Sequence, residues 1–193
     1  NAGKTLFISD LHLDADLPAI TQCFLNYIET AAGSDALYIL GDFFEVWVGD
    51  DDRNQLTDTV AQALQTLAAS GTKIYLMHGN RDFLLGKDYA QRCGALLVDD
   101  PTVIDCYGKK VVLMHGDSLC TRDSEYMKFR KMVRSERWQN DFLERSLVER
   151  HMIAQQTRQQ SKEQSSHKAS DIMDVTPQAV LDLLYDKQVN ILV

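Results

Sequence analysis

Apolar positions in the first half of the chain fall into short unbroken runs, separated by longer stretches with helical spacing. Thr5–Ile8, Ala36–Leu40 and Lys73–Met77 predict short buried strands. Between them, residues 18–32 place Ile20, Phe24, Leu25 and Ile28 on one helical face, and residues 56–70 predict a second helix that stops at Gly71. A further helix is predicted after Asp82, ending before Gly94. Residues 103–106 and 111–114 flank Tyr107-Gly108-Lys109-Lys110 and read as a β-hairpin. The pattern then changes. Residues 124–160 are helical in spacing almost throughout, hold no Gly or Pro and carry many charges. Residues 155–170 are polar and rich in Gln, Ser and Lys. Pro177 opens a helix to about Lys187, and residues 189–193 read as a strand. The architecture that follows is α/β (α+β): one domain over residues 1–193, with a helical cap inserted at about 122–170.

Composition narrows the class. With 193 residues, 45% hydrophobic and 25% charged, the chain has the makings of an ordinary globular core. No apolar run is long enough to span a bilayer, and the N-terminus lacks the pattern of a signal peptide. A net charge of −8 argues against broad nucleic-acid binding, which needs a basic footprint. It leaves an anionic substrate open, because bound cations supply local positive charge. Cys23, Cys93, Cys106 and Cys120 are scattered, as reduced thiols are.

The chemistry lies at strand ends. Asp10-Leu11-His12, Gly41-Asp42, Gly79-Asn80-Arg81-Asp82 and His115-Gly116-Asp117 each follow a predicted strand. In open α/β sheets the carboxyl ends of strands are where sites assemble. Four such ends deliver Asp10, His12, Asp42, Asn80 and His115 to one region. Carboxylate, amide oxygen and imidazole together suit Mn, Fe or Zn and suit Ca poorly. Asp10 and His12, two apart, point the same way if the segment is extended. Asp42 is placed to bridge two ions, a pair of which can clamp a phosphoryl oxygen and activate water. Each motif alone is weak; their order and repeated context carry the metal reading. His78, beside Gly79, reads as structural.

These motifs resemble the calcineurin-like metallophosphoesterase superfamily, whose pattern runs D-x-H, G-D, G-N-H/R, H-G and G-H-x-H. The resemblance covers the chain from Thr5 onward and implies a β-sandwich of mixed sheets flanked by helices. It implies that Asp10 and His12 bind one metal, that Asn80 and His115 bind the other, and that Asp42 bridges them. Asp42, Asn80, Arg81 and His115 are the implied catalytic residues. The G-H-x-H motif does not occur before Val193. The expectation is that the C-terminal part of the family domain, with one histidine ligand per metal, lies beyond it, and that this chain alone binds metal and turns over less well.

Longer strings, among them residues 38–45, 47–52, 78–86 and 114–121, together with 161–163 and 172–175, are similar to one branch of that superfamily. Its members are the pyrophosphatases that cleave UDP-2,3-diacylglucosamine in lipid A synthesis of Gram-negative bacteria. The resemblance implies two Mn ions per chain (Fe or Zn as substitutes) and attack of water on the α-phosphorus. UMP and 2,3-diacylglucosamine 1-phosphate are the implied products. Arg81 stands where many superfamily members carry His. Arginine cannot give up its proton; it either grips phosphate bidentately or pairs with Asp82 or another nearby acid. Asn80, Arg81, Asp123, Ser161, Ser165 and Lys168 are the implied substrate contacts. Phe142, Leu143, Leu147, Val148 and Met152 either shelter acyl chains or form an ordinary amphipathic helix. Lys128, Arg130, Lys131, Arg134 and Arg137 either face anionic lipid at the inner-membrane surface or form a solvated helix face. The run Asp50-Asp51-Asp52 is a solvated loop or a secondary cation site. The branch implies a peripheral membrane enzyme, monomeric, with no nucleic-acid partner. Two other readings stand beside it: another phosphodiesterase or nucleotide pyrophosphatase of the superfamily, and a non-catalytic binding module on the same fold.

Overall fold

A computed structural model describes residues 3–166 and 170–193. They form two compact units, Asn1–His115 with Asn190–Val193, and Gly116–Val189. The range 122–170, expected as a cap insertion, falls inside the bounds of the second. Among the described residues no helix is long and apolar enough to cross a membrane.

The first unit is built on four parallel strands in chain order: β1 (Thr5–Ile8), β2 (Ala36–Leu40), β3 (Lys73–Met77) and β4 (Ala95–Val98). Helices α1 (Pro18–Thr30), α2 (Gln55–Ala69) and α3 (Lys87–Arg92) form the connections. Every residue of β2 is buried, as a central parallel strand covered on both faces requires. Its Ala36, Tyr38 and Leu40, with Met77 of β3, pack against Val111 and Leu113 of a hairpin. That hairpin pairs β5 (Thr102–Cys106) with β6 (Lys109–Leu113). This is the expected sandwich of mixed sheets flanked by helices. Phe7, Tyr38 and Tyr75 are register neighbours and stack across three strands, with centroids 5.4 and 4.5 Å apart. Such pairs add about 0.5–1.5 kcal/mol each beyond their burial.

Several boundaries differ from the sequence reading, each for a local reason. In α1 only Phe24 and Ile28 are buried, while Ile20 in its first turn is 37% exposed. The helix after Asp82 begins only at Lys87. Its cap comes from a distance: the Asp50 carboxylate accepts the Gly86 and Tyr89 amides at 2.8 and 2.9 Å, and the Trp47 indole N–H as well. Asp50 therefore has a structural task within the acidic run. Residues 189–193 do not form a full strand. They make one parallel bridge, Val112 to Leu192, flanked by hydrogen bonds from Val112 to Ile191 and from Met114 to Val193.

The second unit opens with a 3-10 turn, Asp117–Leu119, and continues with α4 (Ser124–Val133), α5 (Glu136–Leu143), α6 (Leu147–Ser166), α7 (Ser170–Met173) and α8 (Pro177–Lys187). The helical stretch expected over 124–160 is thus broken twice, by caps rather than by Gly or Pro. Ser135 accepts the Trp138 amide. Ser146 and Glu149 form a reciprocal capping box. Asp123 caps α4 by accepting the Tyr126 amide.

Asp117 ties the turn to α4. Its carboxylate accepts the Tyr126 hydroxyl at 2.6 Å and the Arg130 Nε at 2.8 Å, with Arg134 at 3.9 Å. Burial alone would raise this carboxyl, but these partners outweigh it and hold the group below its ordinary value. A depressed folded value means stability that is present above the unfolded carboxylate range, near 4, and lost as pH falls through the folded value. Asp117→Asn is expected to destabilise the protein by about 2 kcal/mol at pH 7. In urea melts followed from pH 7 to pH 3, the gap to the parent should close. A gap that stays constant over that range would contradict the assignment.

Candidate metal centre

The carboxyl ends of β1, β2, β3 and β6 carry the loops of the centre. The segment after β1 runs alongside the segment after β2. Asp10 N–H donates to Gly41 O, His12 N–H to Asp42 O, Leu13 N–H to Phe43 O and Glu45 N–H to Leu13 O, at 2.9–3.1 Å. Asp10, His12 and Asp42 thus reach one place, with one donor atom of each lying within 4.8 Å of the others. All three have positive φ, at 55°, 48° and 50°. Non-glycine residues rarely adopt that region, and holding one there costs about 1–3 kcal/mol. The extended geometry expected for Asp10 and His12 is therefore replaced by a strained one that still brings both side chains together.

Glycines set the packing around Asp42. A Cβ on Gly79 would overlap the backbone amide and the carboxylate of Asp42. A Cβ on Gly41, at φ 91°, would press on His115 Nδ1 and on the Gly79 backbone, at 2.6 and 2.7 Å. Only glycine permits the loops after β2 and β3 to close this tightly.

Asp42 is buried at the middle of the cluster. His12 Nε2 lies 3.5 Å from its Oδ2, and His115 Nε2 lies 3.8 Å from its Oδ1. Oδ1 also accepts the Arg81 backbone N–H at 2.8 Å. Each imidazole is held from behind. His12 Nδ1 is 2.7 Å from Glu45 Oε2, and His115 Nδ1 is 3.0 Å from the Leu40 carbonyl. A carbonyl only accepts, so a neutral His115 ring carries its proton on Nδ1 and leaves Nε2, the nitrogen beside Asp42, for a metal. Burial raises the Asp42 carboxyl above its ordinary value, and Asp82 adds to this. The Arg81 amide, His115 and His12 oppose it. A carboxylate so placed gains from a neighbouring cation. Two carboxylates and one imidazole, from Asp10, Asp42 and His12, form a donor set that suits a borderline divalent ion, so these residues fit a metal; His115 stands outside that group, against the other oxygen of Asp42.

Asn80 is exposed, between Gly79 and Arg81, both of which contact Asp42 through their backbones. Among the described residues Arg81 forms no ion pair with an acid, and Asp82 is engaged elsewhere. Asp82 is 1% exposed. It accepts the Gly79, Asp42, Phe43 and Phe44 amides at 2.8, 3.3, 2.7 and 3.3 Å, binding the second and third loops to each other. Sequence reasoning does not single out Asp82 or Glu45. His78 Nε2 lies 2.6 Å from the Leu85 carbonyl, in keeping with a structural histidine. In the second unit Asp123 is buried at its cap and Ser161 is exposed on α6. Ser165 falls on α6, and Lys168 lies outside the described residues.

Residues 3–193 match the calcineurin-like phosphoesterase family. Curated relatives are closely similar. UDP-2,3-diacylglucosamine hydrolase of Marinobacter nauticus is 51% identical over 190 residues, covering 98% of this chain and 78% of the relative. The protein of the same name from Cellvibrio japonicus is 49% identical over 191 residues, covering 98% of this chain and 80% of the relative. That of Pseudomonas aeruginosa is 51% identical over 178 residues, covering 92% and 74%.

Proposed function

Because the chain belongs to the calcineurin-like phosphoesterase family, we propose that it hydrolyses the pyrophosphate of UDP-2,3-diacylglucosamine, the substrate in the names of its relatives. It is a metal-dependent hydrolase. Water adds to the α-phosphorus and the bond to the bridging oxygen breaks. UMP and 2,3-diacylglucosamine 1-phosphate are released. The observation that carries the reading is the placement of His12 Nε2 and His115 Nε2 beside opposite oxygens of Asp42.

In this reading Asp10 and His12 would hold one Mn ion, Asn80 and His115 would hold a second, and Asp42 would serve both. When bound, the ions supply Lewis acidity and an activated water. The protein supplies the rest. Arg81 has its backbone pinned to Asp42 and its half-buried side chain without an acid partner, which supports a grip on phosphate. Arginine has no proton to give, and a phosphate leaving group needs less protonation than an alkoxide. Asn80, Arg81, Asp123, Ser161, Ser165 and Lys168 take the substrate head groups. Leu143, Val148 and Met152 are 40–70% exposed in the second unit, which supports a role in covering acyl chains, whereas Phe142 is buried against Trp138.

The protein works as a monomer on the cytoplasmic face of the inner membrane. Met127, Lys128, Arg130, Lys131, Arg134 and Ser135 line a cavity of about 530 Å³. Cationic side chains of this kind attract anionic headgroups. Arg130 and Arg134 also hold Asp117, so exposed Lys128 and Lys131 are the freer charges.

The test is direct. Protein with Mn and UDP-2,3-diacylglucosamine in ¹⁸O-water is expected to yield UMP carrying the label, and EDTA is expected to stop the reaction. Cleavage of other phosphodiesters without release of UMP would overturn the substrate. Label in the sugar phosphate would overturn the site of attack.

A further inference from the structure

We infer that Glu45 is a positioning residue for His12, and that it fixes the tautomer and the orientation of the His12 ring. The inference rests on the metal reading above and deepens it.

Three observations carry it. Glu45 Oε2 lies 2.7 Å from His12 Nδ1, a short contact for a nitrogen–oxygen hydrogen bond. The opposite nitrogen, Nε2, is the one that faces Asp42 Oδ2. Glu45 is also aimed by the backbone, since the ladder joining residues 10–13 to residues 41–45 ends on its own amide, which donates to Leu13 O. A carboxylate at Nδ1 keeps the proton there and leaves Nε2 as a lone pair directed at the centre. It also fixes the orientation of the ring.

His115 is the internal contrast. Its Nδ1 faces the Leu40 carbonyl, a neutral acceptor, at 3.0 Å. Hydrogen bonds to an ionised acceptor are roughly twice as strong as neutral ones. The two histidines therefore differ in the acceptor behind Nδ1, a carboxylate for His12 and a neutral carbonyl for His115. The plain alternative is a half-exposed ion pair that contributes only to folding, with the His12 side chain 36% and Glu45 19% exposed.

The experiment uses the whole chain and two readouts. The first is Mn²⁺ affinity by titration calorimetry and electron paramagnetic resonance. Glu45→Ala is expected to weaken binding by about 10–100-fold. Glu45→Gln keeps a neutral acceptor and is expected to weaken it by about three- to tenfold. The second readout is ¹⁵N NMR of the imidazole rings in metal-free protein. His12 should show a single tautomer protonated at Nδ1 in the parent and in Glu45→Gln, and a mixture in Glu45→Ala. The His115 ring should be unchanged in all three. Parent-like Mn²⁺ affinity in Glu45→Ala, or an unchanged His12 ring, would overturn the inference while leaving the metal centre standing. If Glu45→Ala does not fold, parent-like affinity in Glu45→Gln would overturn it. Failure of the parent to bind Mn²⁺ would remove the metal reading and this inference together.

Discussion

Asp42→Ala is expected to lower hydrolysis by about a thousandfold or more, while Arg81→Ala costs about ten- to a hundredfold. The difference follows from position. Asp42 lies between the two imidazoles, and its two oxygens face one each. Its removal deprives both halves of the centre of a shared anion, and metal-centred charge stabilisation contributes several kcal/mol, at 1.36 kcal/mol per factor of ten. In the proposed function Arg81 adds a charge-assisted contact, worth about 1.5–3 kcal/mol, and its backbone tie to Asp42 survives truncation of the side chain. Steady-state kinetics with saturating Mn compares the two directly. Equal losses would count against the bridging role.

Asp82→Ala is expected to be the most damaging single change to stability outside the aliphatic core. It strands four backbone amides that a buried carboxylate now accepts, on residues 42, 43, 44 and 79. Leaving one such donor unsatisfied costs about 1–3 kcal/mol, and some of these amides can find water after relaxation, so a net loss of about 3–5 kcal/mol is expected. For a chain of this size that lowers the melting temperature by roughly 10 °C. The effect on turnover should be large as well, because the same carboxylate joins the Asp42 loop to the loop that carries Asn80 and Arg81. Circular dichroism melts would check it, and a shift of under about 2 °C would refute the role.

Much of the centre is legible before any coordinates. Short apolar runs mark the parallel strands, of which β2 alone is buried throughout, so β1, β2 and β3 have their exact bounds in the sequence, and the motifs that follow them are placed at once. Asp10, His12 and Asp42 do converge. What stays hidden is whatever depends on partners distant in the chain. Asp82 next to an arginine reads as half of an ion pair, and nothing local reveals that four amides surround it. Glu45 and His12 are 33 residues apart and meet only because two loops run side by side. β4 is short and apolar without alternation, with Ala95 buried and Leu96 65% exposed, so no period marks it. The capping box at Ser146 and Glu149 is present in the sequence, but the lack of Gly and Pro over 124–160 conceals it.

The side-by-side order of β1, β2, β3 and β4 also bears on how the protein is made. Each crossover hands one set of candidate site residues to the growing edge of the sheet: residues 10 and 12 first, then 42, then 80. Residue 115 arrives only after the hairpin has been synthesised. A chain emerging from the ribosome therefore holds the full set of residues around Asp42 only after residue 115 has been made.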